Sequence, residues 1–280
     1  MGEYYVEKTD VVYGDTDSGF FKYTIRDKTS NGRILKGKEA LKASIAISFD
    51  VEKNIKKTLK YPHHLEYEKT FHPFILFSKK RYVGNKYEFD PDKYKQTSMG
   101  IVLKRRDNAD IVKLVYGGII DIIMNEKNIA KSIDFLQQSL RKLIDGCFPI
   151  ELLVVTKSLK PTYAYKNPHQ IAHWVLSNRM GERDPGNRPQ ANDRIPYVYI
   201  VKKAMRRQKI LQGDRIENPD YVIENKIPID FSFYITNQIM KPVSQIYDLI
   251  DDIASEDLFR EILRIAENRS FGRREITEWM

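Results

Sequence analysis

Asp15 and Asp17 stand two positions apart in Gly14-Asp15-Thr16-Asp17, with Val11-Val12-Tyr13 before them and Phe20-Phe21-Lys22-Tyr23 after. β-formers on both sides of a Gly/Asp cluster predict a hairpin. Two carboxylates at its turn are one way to aim hard oxygen ligands at a divalent cation such as Mg²⁺. Asp and Gly are also ordinary turn residues, so the pair alone does not separate a metal site from a plain turn. A second constellation, Lys79-Lys80-Arg81, sets three adjacent cations between two β-rich runs. No acid beside them can neutralise them, and a phosphate partner accounts for them better than a core does. His169 and His173 have the i, i+4 spacing of a zinc pair. Gln170 occupies the place of the catalytic Glu in that motif and no third ligand is evident, which weighs against zinc.

The elements that must position these residues follow from periodicity. Alternation over residues 1–26 predicts the hairpin, and Leu41, Ile45, Phe49 and Ile55 predict a helix over Lys38 to Leu59 that covers one face of a sheet. Short strands are expected at Leu65-Glu66-Tyr67, Phe71 to Lys79, Arg81 to Phe89 and Gly100 to Lys104, the middle pair joined near Lys79-Lys80. From Asp110 the period becomes helical, through Ile111–Ile123 and Ile129–Ile144 to a stop at Gly146, and again at Ile171–Met180, Ile239–Ile250 and Leu258–Ala266. The expected fold class is α+β: an antiparallel first part with the hairpin, followed by a mostly helical second part.

With 280 residues, 41% hydrophobic and 11% aromatic, the chain can bury a core, and no Gly period marks a collagen-like polymer. No uncharged apolar run reaches ~18 residues and the N-terminal residues do not form a signal peptide, so neither membrane insertion nor secretion is expected. Cys147 is alone, which excludes an internal disulfide and a cysteine metal site. The net charge is +9, and the stretch from Lys157 to Arg215 holds thirteen basic residues against four acidic, an excess equal to that of the whole chain. Cations interleaved with Tyr163, Tyr165, Tyr197 and Tyr199 suit a polyanion surface, because bound cations release phosphate counterions and aromatics pack on sugars or bases.

Tyr13-Gly14-Asp15-Thr16-Asp17-Ser18 between β-segments resembles the catalytic hairpin of family B DNA polymerases, and further motifs of that family follow in order. Ser78-Lys79-Lys80-Arg81-Tyr82 resembles its basic palm motif. Gly100 to Asp107, with Arg105-Arg106-Asp107, resembles the strand that ends the palm. Lys157-Ser158-Leu159, His169 to Gly181 and Asp193 to Ile200 are similar to its thumb. Gly213 to Tyr221, and Tyr234 to Ile239 with Pro242, look closest to the polymerases of large nucleocytoplasmic DNA viruses.

The resemblance implies a palm portion over 1–108, a thumb over 109–266 and a tail over 267–280. It implies two Mg²⁺ ions, with Asp17 as a ligand and Asp15 beside it. Lys79, Lys80, Arg81 and Tyr82 would hold the primer end, and Lys202, Lys203, Arg206 and Arg207 the exiting duplex. The second carboxylate ligand, the fingers and the exonuclease lie upstream of the hairpin in this family, and only about a dozen residues precede Tyr13 here. The expected partners are therefore primer-template DNA and an upstream polymerase half, and this chain alone is expected to be inactive. The tail's Ile276, Trp279 and Met280 resemble a sliding-clamp docking box, with Arg273 in place of the usual Gln and Met280 in place of the second aromatic. A replication compartment follows: host nucleus, host cytoplasm or virus factory. A non-catalytic fragment that binds only DNA or a clamp is the alternative reading.

Overall fold

A computed structural model describes residues 4–29, 31–104, 108–161, 164–202, 210–250 and 253–270. The chain divides into two compact units, Met1–Ile101 and Val102–Met280, and is α+β.

The first unit opens with β1 (Tyr4–Asp15) and β2 (Ser18–Asp27), an antiparallel two-stranded sheet in which Tyr13 faces Phe20 and Asp15 faces Ser18. The outer edge of β1 carries no backbone partner among the described residues. Helix α1 (Gly37–Ile55) packs against β2, burying Leu41, Ala43 and Ile45 near Ile25. β3 (Thr70–Ser78), β4 (Arg81–Tyr87) and β5 (Lys95–Met99) form a three-stranded antiparallel sheet. An aromatic cluster ties the hairpin to this sheet: the Phe20 ring lies 5.3 Å from Tyr13, 5.6 Å from Phe74, 5.6 Å from Tyr82 and 6.0 Å from Phe71. Such a cluster is what an isolated two-stranded hairpin needs, since it is marginal in water alone.

Two expected strands are absent. Leu65-Glu66-Tyr67 is irregular, because the Tyr67 N–H is taken at 2.8 Å by the Glu52 carboxylate of α1 and not by a neighbouring strand. Gly100 to Lys104 is a bend and a short 3₁₀ turn, and the strand lies just before it as β5. Gly100 has φ +64, which ends the strand.

In the second unit α2 (Asp110–Asp121) runs into a π-turn, Ile122–Glu126, and then α3 (Ile129–Ile144). Asn128 caps α3 by accepting from the Lys131 N–H at 2.9 Å. Ile111, Val115, Ile119, Leu136, Leu140 and Leu143 are buried between these helices, and Gly118 admits the Phe135 ring, which a Cβ would meet at 2.4 Å. Short strands β6 (Val155–Ser158), β7 (Arg194–Tyr199) and β8 (Ile216–Glu217) make a three-stranded antiparallel sheet beside α4 (Ala172–Arg183). α5 (Pro219–Glu224), α6 (Phe231–Phe233), α7 (Lys241–Tyr247) and α8 (Asp257–Ser270) complete the unit, with a π-turn Tyr234–Met240 between α6 and α7. The buried Tyr234 hydroxyl donates to the Leu153 carbonyl at 2.6 Å and accepts from the Tyr199 N–H at 3.1 Å, joining helix to sheet. Burial raises the Tyr234 pKa far above that of a free phenol.

Candidate functional site

The turn between β1 and β2 is built by Thr16, whose φ of +58 is unusual for a β-branched residue. Across it the Asp17 N–H donates to the Asp15 carbonyl at 2.7 Å, a tight three-residue turn. The two acids leave it in different states. Asp15 closes β1, and its Oδ2 meets the Lys80 ammonium at 2.9 Å while its Oδ1 accepts from the Thr16 hydroxyl at 3.3 Å. The hydrogen bond from Lys80 is the main reason the Asp15 carboxyl is held below the usual carboxylate range, and the same contact raises Lys80. The Asp17 carboxylate is exposed, and among the described residues no cation or donor meets it.

Lys79 and Lys80 form the turn of the β3–β4 hairpin, with Lys80 at φ +61. The Lys80 N–H donates to the Tyr13 hydroxyl at 2.9 Å, so the acidic and basic turns are joined by a backbone hydrogen bond and an ion pair. Gly100 braces the arrangement from the other side. A Cβ there would lie 2.2 Å from the Lys80 carbonyl oxygen, and the Gly100 carbonyl accepts from Arg81 Nε at 3.3 Å. Lys79 is exposed. Tyr82, expected to face DNA, is instead buried in the aromatic cluster, at 5.5 Å from Phe74 and 5.8 Å from Phe71. Tyr13 and Gly100 were not singled out as site residues by sequence reasoning, although each lies inside a motif that was.

Mg²⁺ is a hard cation that takes oxygen ligands. That cation is commonly held by one or two carboxylates together with waters and substrate phosphates. The exposed Asp17 carboxylate fits such a share, while Asp15 spends its charge on Lys80. Among the described residues no three His, Cys, Asp or Glu side chains stand together as a complete metal cage.

In the second unit the basic stretch is partly turned inward. Arg183 forks onto the buried Glu217 carboxylate at 3.1 and 2.9 Å and lies 3.6 Å over the Tyr221 ring. Arg179 donates to the Gly213 and Ile216 carbonyls at 2.9 and 2.5 Å and stands 3.6 Å from Glu217. These two cations hold β8 to α4, so the charge excess overstates what faces solvent. Lys202 is exposed at the end of this sheet region. Lys203, Arg206 and Arg207 lie outside the described residues, as do Arg105, Arg106, Asp107, Tyr163 and the tail residues Ile276, Trp279 and Met280. His169 precedes α4 and sets its ring edge-on to Trp174 at 5.0 Å, whereas His173 meets the Tyr165 hydroxyl at 3.2 Å.

A sequence model of the family described as DNA polymerase family B matches residues 3–250. The chain is 57% identical over 240 residues to the DNA polymerase of Pyramimonas orientalis virus, covering 86% of this chain and 19% of that protein. It is 45% identical to the DNA polymerase of Acanthamoeba polyphaga mimivirus, over 100% of this chain and 16% of that one. It is 32% identical to the DNA polymerase delta catalytic subunit of Caenorhabditis elegans, over 86% of this chain and 20% of that one. The chain thus spans about a fifth of the length of these curated relatives. The match over residues 3–250 means that this chain belongs to the family B DNA polymerases.

Proposed function

We propose that the chain forms the C-terminal palm and the thumb of a DNA-directed DNA polymerase. The observation that carries the reading is the joining of the two turns: Asp17 is left free at one tip while Lys80 is tied to Asp15 and Tyr13. In the reaction the primer 3′ oxygen bonds to the α-phosphorus of a deoxynucleoside triphosphate and pyrophosphate leaves. Asp17 is the residue that would hold Mg²⁺, with Asp15 beside it. Two such ions, when bound, acidify the attacking hydroxyl and offset charge on the transferring phosphoryl group. Lys79, Lys80 and Arg81 hold the primer backbone, and Lys202, Lys203, Arg206 and Arg207 grip the duplex without reading its sequence. The remaining carboxylate ligand and the nucleotide-binding cations come from an upstream polymerase portion, and the work is done in a viral or host replication compartment. No described helix is long and apolar enough to cross a membrane.

Primer extension tests this. The chain alone extends nothing, and mixed with the upstream portion of a close relative it extends a primer in Mg²⁺. Asp17→Asn abolishes extension in the mixture and leaves DNA binding intact, because it removes charge from the metal and none from the grip. Extension by the isolated chain, or undiminished extension by Asp17→Asn, overturns the assignment, and DNA binding without extension in any mixture favours a binding fragment. For the tail, a peptide of its last fifteen or so residues binds a sliding clamp, and Ile276→Ala or Trp279→Ala removes the binding. A peptide silent in calorimetry at micromolar clamp overturns the docking role.

A further inference from the structure

The end of α1 and the turns that follow it carry cations that the proposed chemistry does not use. Lys53, Lys56, Lys57 and Lys60 recur at helical spacing, and the helical turn continues past Ile55 through bonds from the Lys56 N–H to Glu52 and from the Leu59 N–H to Ile55. Phe49 stands one helical turn before Lys53. All four lysines are exposed, and among the described residues none reaches a carboxylate at ion-pair distance. Lys57 donates to the Asn54 side chain at 3.2 Å. Of the acids on this half of the helix, Glu52 is occupied by the Tyr67 N–H, and Asp50 lies beside the row.

Aromatic rings flank the cations. Phe49 is 39% exposed and Phe89 68%, and their rings stack at 5.9 Å with Tyr67 edge-on to Phe49 at 4.8 Å. Beyond the other end, Tyr61 is 97% exposed. The helix C-terminus favours one or two cations in its last turn. Four of them at i, i+3 and i, i+4 repel, each pair costing about 0.2–0.5 kcal/mol. A polyanion converts that cost into counterion release. Exposed rings beside a cation row select unpaired bases, whose faces are open, over a duplex whose bases are already stacked.

We propose that Lys53, Lys56, Lys57 and Lys60, with Phe49, Phe89 and Tyr61, form a single-stranded DNA surface on the first unit, additional to the duplex contacts. The inference rests on the reading that DNA is the partner. The test uses the full chain, a fluorescein-labelled dT 20-mer and a blunt 20-bp duplex, followed by anisotropy over a salt series. Replacing the four lysines with Gln lowers dT affinity at least tenfold at low salt and flattens the log–log slope by up to ~3 units. Replacing them with Arg retains both, which separates lost charge from a misfolded helix. Tyr61→Ala with Phe89→Ala weakens dT binding about fivefold or more with the slope unchanged. Duplex affinity stays the same in all three. Unaltered dT affinity and slope in the Gln variant overturns the surface, and so does an equal loss on the duplex. Either result with primer extension intact in the mixture leaves the polymerase reading standing, whereas an unmodified chain that binds neither DNA overturns both.

Discussion

At Gly100 two separate penalties meet, and they can be measured apart. Its φ of +64 disfavours any side chain, and a Cβ would also lie 2.2 Å from the Lys80 carbonyl oxygen. Gly37 has a similar φ of +57, yet a Cβ there meets nothing within 4 Å. Gly37→Ala is therefore expected to cost about 1–2 kcal/mol, the conformational penalty alone. Gly100→Ala should cost at least ~2 kcal/mol more, because backbone on the opposite side has to move. Urea unfolding of the two variants checks this, and equal losses would show that Gly100 does not brace the Lys80 turn. Because the displaced atoms belong to the turn that holds Asp15, Gly100→Ala should also slow extension in the reconstituted mixture.

Among the elements, the junction of α4 with β8 depends on a buried carboxylate. Glu217 is 4% exposed, and Arg183 and Arg179 both converge on it. Glu217→Ala leaves two part-buried guanidinium groups without their anion, and a loss of about 3–5 kcal/mol is expected in guanidinium chloride unfolding followed by tryptophan fluorescence. Replacing Arg183 and Glu217 together with leucines should recover part of that loss, since well-packed apolar groups often do as well as a buried pair. No recovery would show that the Arg183 stack on Tyr221 contributes more than the ion pair does. The same junction explains what could be read in advance. β1, β2, α1, α2 and α3 are long and strongly periodic, so alternation and helical spacing locate them to within a few residues. β6, β7 and β8 are four, six and two residues long, too short for a period to register. Leu65–Tyr67 alternates like a strand, but a carboxylate from α1 captures its backbone, a long-range choice that no local pattern carries. The acidic and basic turns were each legible from residue type. Their meeting was not, since Tyr13 and Lys80 are 67 positions apart. Tyr82 was misplaced because its neighbours in the motif are cations, whereas strand alternation turns its ring into the cluster.

For the whole molecule, the distribution of charge governs how it meets a polyanion. Arg179 and Arg183 are tied to Glu217 and to carbonyls, which leaves the proposed duplex grip to other cations, with Lys202, Lys203, Arg206 and Arg207 the proposed ones. Arg206→Ala with Arg207→Ala is expected to weaken duplex binding alike for every sequence and to flatten the salt dependence by up to ~2 log–log units. A changed sequence preference with the slope intact would contradict a backbone grip. Another whole-molecule property follows from β1. Its outer edge has no backbone partner among the described residues, and Tyr5, Val11 and Val12 along it are exposed. An open edge with apolar side chains accepts any extended chain that reaches it, its own copies included. At high concentration copies of this chain would then pair edge to edge, so its solubility depends on what covers β1, and an added strand that capped the edge would act on it as a chaperone does.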